Sequence, residues 1–166
     1  MAEIYTKAKF WKCALQVNPF DYGSTYRGTS HGMTEEEYNQ KLVTIALENK
    51  IKVIGVADHG NVQGVDAIRT LMKEHEIIVF PGFEIASSEK IHFVCLYPEH
   101  TTTTELNRYL GNLDLFDPND GTRPSQLGAE QILQKVDQQG GLIYAAHCTE
   151  RSGVLQNRFK HIWTNP

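Results

Sequence analysis

Three apolar runs in this chain end in side chains of the types that ligate metal ions. Residues 52–57 lead into Asp58-His59, residues 77–80 lead through Pro81-Gly82-Phe83 to Glu84, and residues 142–146 lead into His147. His92 follows Glu84 after a short polar link and opens an apolar run of its own. Imidazole nitrogens combined with a carboxylate form a donor set suited to zinc, manganese or iron. A carboxylate can also bridge two ions, and paired ions clamp the attacking and leaving oxygens of a phosphoryl hydrolysis. Each residue alone has a plainer reading: His147 as a satisfied core histidine, Asp58-His59-Gly60 as a turn with a helix cap. Glu84 resists one, because a carboxylate ending an apolar strand is costly to bury without a cation or hydrogen bonds.

The elements that must position these groups can be read from periodicity. Apolar runs at residues 10–17, 52–57, 77–85, 91–97 and 142–146 are short and rich in branched or aromatic residues, which predicts strands. Helical spacing appears between them. Thr34 and Glu37 form a T-x-x-E capping box ahead of Tyr38, Leu42, Ile45 and Ala46. Val65, Ile68, Leu71 and Met72 mark a second helix, and Leu106, Tyr109 and Leu110 a short third. Ile132, Leu133 and Val136 mark a fourth, stopped by Gly140-Gly141. Leu155, Phe159, Ile162 and Trp163 suggest a last amphipathic helix. Strands alternating with helices predict an α/β fold with mostly parallel strands. The link at residues 86–90 is too short for a helical crossover, so that strand pair is expected to be antiparallel or not adjacent. Residues 19–33 and 112–124 read as loops, the second as a turn whose glycine falls one position early for a calcium loop. In parallel α/β folds active sites gather at the C-terminal ends of the strands, where Asp58, Glu84 and His147 fall. Gln16 and Asn18 close the first strand in the same way.

Composition narrows the alternatives. With 40% hydrophobic and 22% charged residues among 166, the chain reads as one globular domain, residues 1–166, without a disordered composition. No run approaches the roughly 20 apolar residues of a bilayer span and the start lacks a signal-peptide pattern, so a cytoplasmic location without membrane contact is expected. A net charge of -4 leaves no domain-wide polyanion footprint, and Lys7, Lys9, Lys12, Arg151, Arg158 and Lys160 read as solvated surface. Cys13, Cys95 and Cys148 have no framework spacing and read as reduced thiols, Cys95 and Cys148 in the core. Cys148 neighbours His147, but adjacent strand side chains face opposite ways, which argues against a nucleophile-base pair. Phosphate-loop, dinucleotide and zinc-knuckle patterns are absent.

The segments 10–18 (FWKCALQVN), 55–60 (GVADHG), 80–85 (FPGFEI), 91–93 (IHF) and 145–147 (AAH) together resemble, in order and spacing, the PHP (polymerase and histidinol phosphatase) superfamily. The closest flavour is that of PHP modules opening larger proteins with an SMC-like ATPase, some linked to antiviral (anti-phage) defence. The resemblance implies a distorted (β/α)7 barrel with one to three transition-metal ions (manganese, zinc or iron) at the strand ends. By motif match Glu84 would bridge metals, His92 and His147 would complete one shell, His59 would serve a third ion, and Asp58 would support that histidine. Asp58, His59, Glu84 and His147 would then be the catalytic group. The implied activity is hydrolysis of a phosphomonoester, nucleotide or nucleic-acid phosphodiester by metal-bound hydroxide, with Arg151 or Arg27 as phosphate contacts.

The chain departs from the pattern in two places. A His-x-His motif is replaced by Gln16-Val17-Asn18, whose neutral amides could be only weak metal or substrate contacts. The final Asp-x-His motif has no counterpart after His147, so the expected barrel is incomplete at its C-terminus, lacking its last strand, and the apolar face of Phe159, Ile162 and Trp163 calls for a partner surface or more chain after Pro166. The rival expectation is a catalytically degenerate PHP-fold pseudoenzyme serving as an interaction or regulatory module beside an ATPase partner. A single structural metal site is a third.

Overall fold

A computed structural model of the chain describes residues 10–21, 32–117, 120–150 and 153–156. The strands are β1 (Lys12–Val17), β2 (Ile51–Val56), β3 (Ile78–Ala86), β4 (His92–Leu96) and β5 (Leu142–Ala145). The helices are α1 (Glu35–Glu48), α2 (Val65–Glu74), α3 (Thr103–Gly111) and α4 (Ala129–Gln138). The strands form one sheet in the order β1-β2-β3-β4-β5. They curl through 208°, so the sheet is an α/β half-barrel rather than a closed one.

Direction follows connection length. β1, β2 and β3 pair in parallel, with α1 and α2 as the crossovers between them. The link from Ala86 to His92 cannot hold a crossover, so the chain turns straight back and β4 pairs antiparallel with β3. β5 is antiparallel to β4 and so regains the direction of β1. The expectation of mostly parallel strands therefore holds for direction, while the pairings are mixed because only β4 is reversed.

Local chemistry sets the helix starts. Thr34 accepts from the backbone N–H of Glu37 at 3.2 Å, while the Glu37 carboxylate takes the Thr34 N–H at 2.8 Å. Thr102 and Glu105 repeat this capping box at the head of α3. Each helix lays its apolar stripe on the outer face of the sheet. Val43, Ile68, Met72, Leu106, Leu110, Ile132 and Val136 pack there with Ile54, Val56, Val79, Phe83, Ile85, Phe93 and Cys95. Fully burying a side chain such as Ile68 or Ile132 contributes roughly 1.5–3 kcal/mol. This outer layer is the main core.

The inner face is thinner. Ala57, Val94, Leu96 and Ala146 form a second cluster with Phe80 and Tyr144. At Gly82, paired with Leu96, a Cβ would stand 2.0 Å from the Cys95 carbonyl oxygen. Cys95 is buried as expected; Cys148 is only half-buried, beyond the end of β5. There its Sγ donates to the Ala145 carbonyl at 3.0 Å. The strand stops at Ala145 and His147 takes a φ of 50°, so strand alternation does not govern the His147-Cys148 pair. The helix expected over residues 155–163 lies almost wholly outside the described residues, as do Arg27 and Arg151.

Candidate metal centre

The inner face carries the chemistry. In the antiparallel ladder, Glu84 sits opposite Val94, Val94 opposite Tyr144, and Ala86 opposite His92. Directly paired residues share a face, so Glu84, His92 and Tyr144 all look into the half-barrel. His92 thus lies on a strand that runs back from the rim where Glu84 lies. His59 arrives differently. After β2 the chain stays beside β3: the Glu84 N–H donates to the Asp58 carbonyl at 2.7 Å, and the Gly60 N–H donates to the Glu84 carbonyl at 2.8 Å. These two backbone bonds straddle His59 and lock it alongside Glu84. On the far side, the Ala146 N–H donates to the His92 carbonyl at 2.8 Å, which carries the pairing just past β5 and delivers His147.

The side chains converge on one atom. Glu84 Oε1 lies 2.6 Å from His92 Nδ1, 3.4 Å from His59 Nε2 and 3.9 Å from His147 Nε2. Glu84 is 1% exposed, whereas His147 is 53% exposed. The other carboxylate oxygen, Oε2, accepts from the Gln16 amide at 2.6 Å. Burial pushes the Glu84 carboxyl up, but the hydrogen bond from His92 and the charges of His59, His92 and His147 outweigh it and hold the group below the ordinary glutamate value. It is thus an anion at neutral pH. Asp58, also 1% exposed, goes the other way: burial pushes it up to about 6, against the hydrogen bonds it accepts from the His59 N–H and the Asn61 amide. Those bonds are 2.8 and 3.0 Å long and tie Asp58 to the His59 backbone and to the Asn61 side chain.

The donor set fits a divalent transition metal. Ligand atoms around a tetrahedral ion stand about 3.4 Å apart. The contacts from Oε1 to His59 and His147 are close to that spacing, and the ligand atoms of His59, Glu84 and His92 all lie within 4.8 Å of one another. The shorter contact to His92 is a hydrogen bond, whose proton an ion would displace. The resemblance assigned His59 to a separate ion; here it faces the same Glu84 oxygen as His92.

Several supporting residues carried no legible signal. Asn61, whose amide donates to Asp58, follows the stretch read as a turn. Gly121 belongs to the loop read as a simple turn, yet it rests on the site: a Cβ there would stand 2.0 Å from the His59 carbonyl oxygen. Asn18, flagged with Gln16, contributes its backbone carbonyl to the Tyr38 hydroxyl at 2.9 Å. Tyr144, pushed up to about 12 by burial and by the Glu84 charge, remains a hydroxyl donor and gives its proton to the Leu15 carbonyl at 2.7 Å.

No protein-family model matches this sequence. An uncharacterised protein of Streptococcus pneumoniae is 25% identical over 115 residues, which cover 64% of this chain and 43% of that protein. An uncharacterised protein of Methanocaldococcus jannaschii is 26% identical over 137 residues, covering 81% of this chain and 17% of that protein. The chain thus spans less than half the length of either relative. Among solved structures, a protein of Bifidobacterium adolescentis provisionally described as a metal-dependent phosphoesterase superposes with a TM-score of 0.52 at 14% identity, over 89% of this chain and 69% of that one. The lesion-specific endonuclease EndoQ of Pyrococcus furiosus superposes with a TM-score of 0.63 at 14% identity, over 93% of this chain and 40% of that one. These likenesses define the class of fold: the chain is a partial PHP-type barrel. At its strand ends sits a His/Glu group able to bind a metal.

Proposed function

We propose that this chain is the metal-binding module of a PHP-type phosphoesterase acting on a phosphomonoester, a nucleotide or a nucleic-acid phosphodiester. The observation that carries this reading is Glu84: a buried carboxylate with three imidazoles around one of its oxygens. An anion so placed, below the reach of water, is an arrangement that a cation completes. Glu84, His59, His92 and His147 would hold the ion, and manganese, zinc and iron all accept such donors. Bound there, the ion would act as a Lewis acid on a phosphoryl oxygen and lower the pKa of a water. Asp58 and Asn61 orient His59. The exposed side of His147 is where a phosphoester would reach the ion. Likeness to a phosphoesterase and to an endonuclease supports the substrate class.

The test is metal analysis of the purified protein together with hydrolysis of phosphomonoester and single- and double-stranded nucleic-acid substrates across manganese, zinc and iron(II). Metal uptake with turnover that disappears in Glu84→Ala is expected. Absence of both uptake and turnover would sink the proposal. One observation favours a second reading, a catalytically silent interaction module: Oε2 of Glu84 is occupied by the Gln16 amide. Stoichiometric metal binding without turnover on any of these substrates would support that reading, and capture of an ATPase partner would extend it.

A further inference from the structure

We infer that the centre takes a single divalent transition-metal ion, on the Oε1 side of Glu84, and that Gln16 sets this limit by donating its amide hydrogens to Oε2. The inference rests on the metal-binding reading above and refines it. The two oxygens of Glu84 have opposite surroundings. Oε1 faces ring nitrogens, which can be lone-pair donors to an ion. Oε2 faces the Gln16 amide N–H, with its nitrogen at 2.6 Å, which cannot. It is the Gln16 amide nitrogen, not the carbonyl, that faces Oε2. A cation bridging to Oε2 would meet those hydrogens, and the amide would have to turn away first.

The backbone is built to hold that contact. From Ala14 to Val17 β1 takes three steps while its partner β2 takes two, from Ile54 to Val56, so β1 carries one extra residue around Leu15 and Gln16. Such a bulge re-aims a side chain. The Leu15 carbonyl leans over Gly55, where a Cβ would stand 2.5 Å from its oxygen; only glycine leaves this room. The same carbonyl accepts the Tyr144 hydroxyl at 2.7 Å, which ties the strand bearing Gln16 to the strand that leads to His147. Bulge, glycine and tyrosine are separate features, and all serve to fix where Gln16 points. Gln16 is therefore a positioning residue for Glu84.

The experiment is ion counting by plasma mass spectrometry on manganese-loaded protein, with manganese electron paramagnetic resonance to distinguish isolated ions from coupled pairs. Wild type is expected to hold one ion per chain with an uncoupled spectrum. Gln16→Glu and, as a second variant, Gln16→His replace donor hydrogens with a ligand and are expected to take a second ion, seen as a coupled spectrum. Gln16→Leu keeps one ion but loses the bond that orients Glu84, and its affinity should fall by about 10- to 100-fold, as for other partners that orient metal ligands. Circular dichroism checks that each variant is folded. Two ions in wild type, or folded Gln16→Glu and Gln16→His that both stay at one ion, would overturn the inference while leaving the metal-binding reading intact. No ion in wild type would overturn both.

Discussion

Glu84→Gln separates the stability role of this residue from its binding role. The side chain keeps its shape and its buried place, and its amide oxygen can still accept from Gln16 or from His92. In the metal-free protein the buried anion is offset by charge-assisted hydrogen bonds of 2.6 Å on both oxygens. Such bonds contribute roughly 1.5–3 kcal/mol each, and burying a carboxylate costs several kcal/mol, so the two nearly cancel. The metal-free variant should therefore melt within a few degrees of wild type. Added metal changes the comparison. An ion that binds only the folded state contributes about 2.7 kcal/mol when present at 100 times its Kd. At about 2–4 °C per kcal/mol for a chain of this size, that predicts a rise in Tm of about 5–11 °C for wild type. Glu84→Gln lacks the anion that draws the ion in and should show almost none. The assay is calorimetric melting with chelator and with manganese or zinc. An equal metal-induced shift in the variant would refute the assignment of Glu84 as the central ligand. A metal-free variant that is unfolded would refute the cancellation argument.

Two further predictions concern the shell around Glu84. Gly121→Ala, in a loop remote in sequence, should push on the His59 carbonyl and cost roughly 1–3 kcal/mol by overpacking, with a matching loss of metal affinity read by isothermal titration; unchanged affinity would mean that the loop does not support His59. The metal-free protein should also lose stability as pH rises past the Asp58 titration. Its folded pKa of about 6 lies above the ordinary 3.8, so its stabilising contribution is complete below the unfolded value and lost as pH climbs through 6. The loss is on the order of 2–3 kcal/mol at 1.36 kcal/mol per pKa unit. Chemical denaturation at pH 4.5 and 7.5 should show a smaller difference in Asp58→Asn than in wild type, and an identical pH dependence would remove Asp58 as its source.

The sequence by itself determined the elements and the kind of chemistry. Short apolar runs rich in branched and aromatic residues predict strands, and the Thr34-Glu37 box predicts a helix start, because both signals act within a few residues of chain. The link after Ala86 was too short for a helical crossover, which left an antiparallel pair or no pair at all; the structure decides for the antiparallel β3-β4 pair, and with it the meeting of His92 and Glu84. Only the tertiary structure decided which groups share an oxygen. His59 joins Glu84 through two backbone bonds to a strand more than twenty residues away, as the numbering of the pair shows. Gln16 reaches Oε2 through a bulge, a glycine on a neighbouring strand and a tyrosine on another. Gly121 touches His59 from a loop with no periodicity at all. Contacts of this kind depend on register and curvature accumulated across a whole sheet. They leave no local pattern in the chain, so a Gln16 that reads in sequence as a lost ligand is, in the folded protein, a hydrogen-bond donor holding the carboxylate that remains.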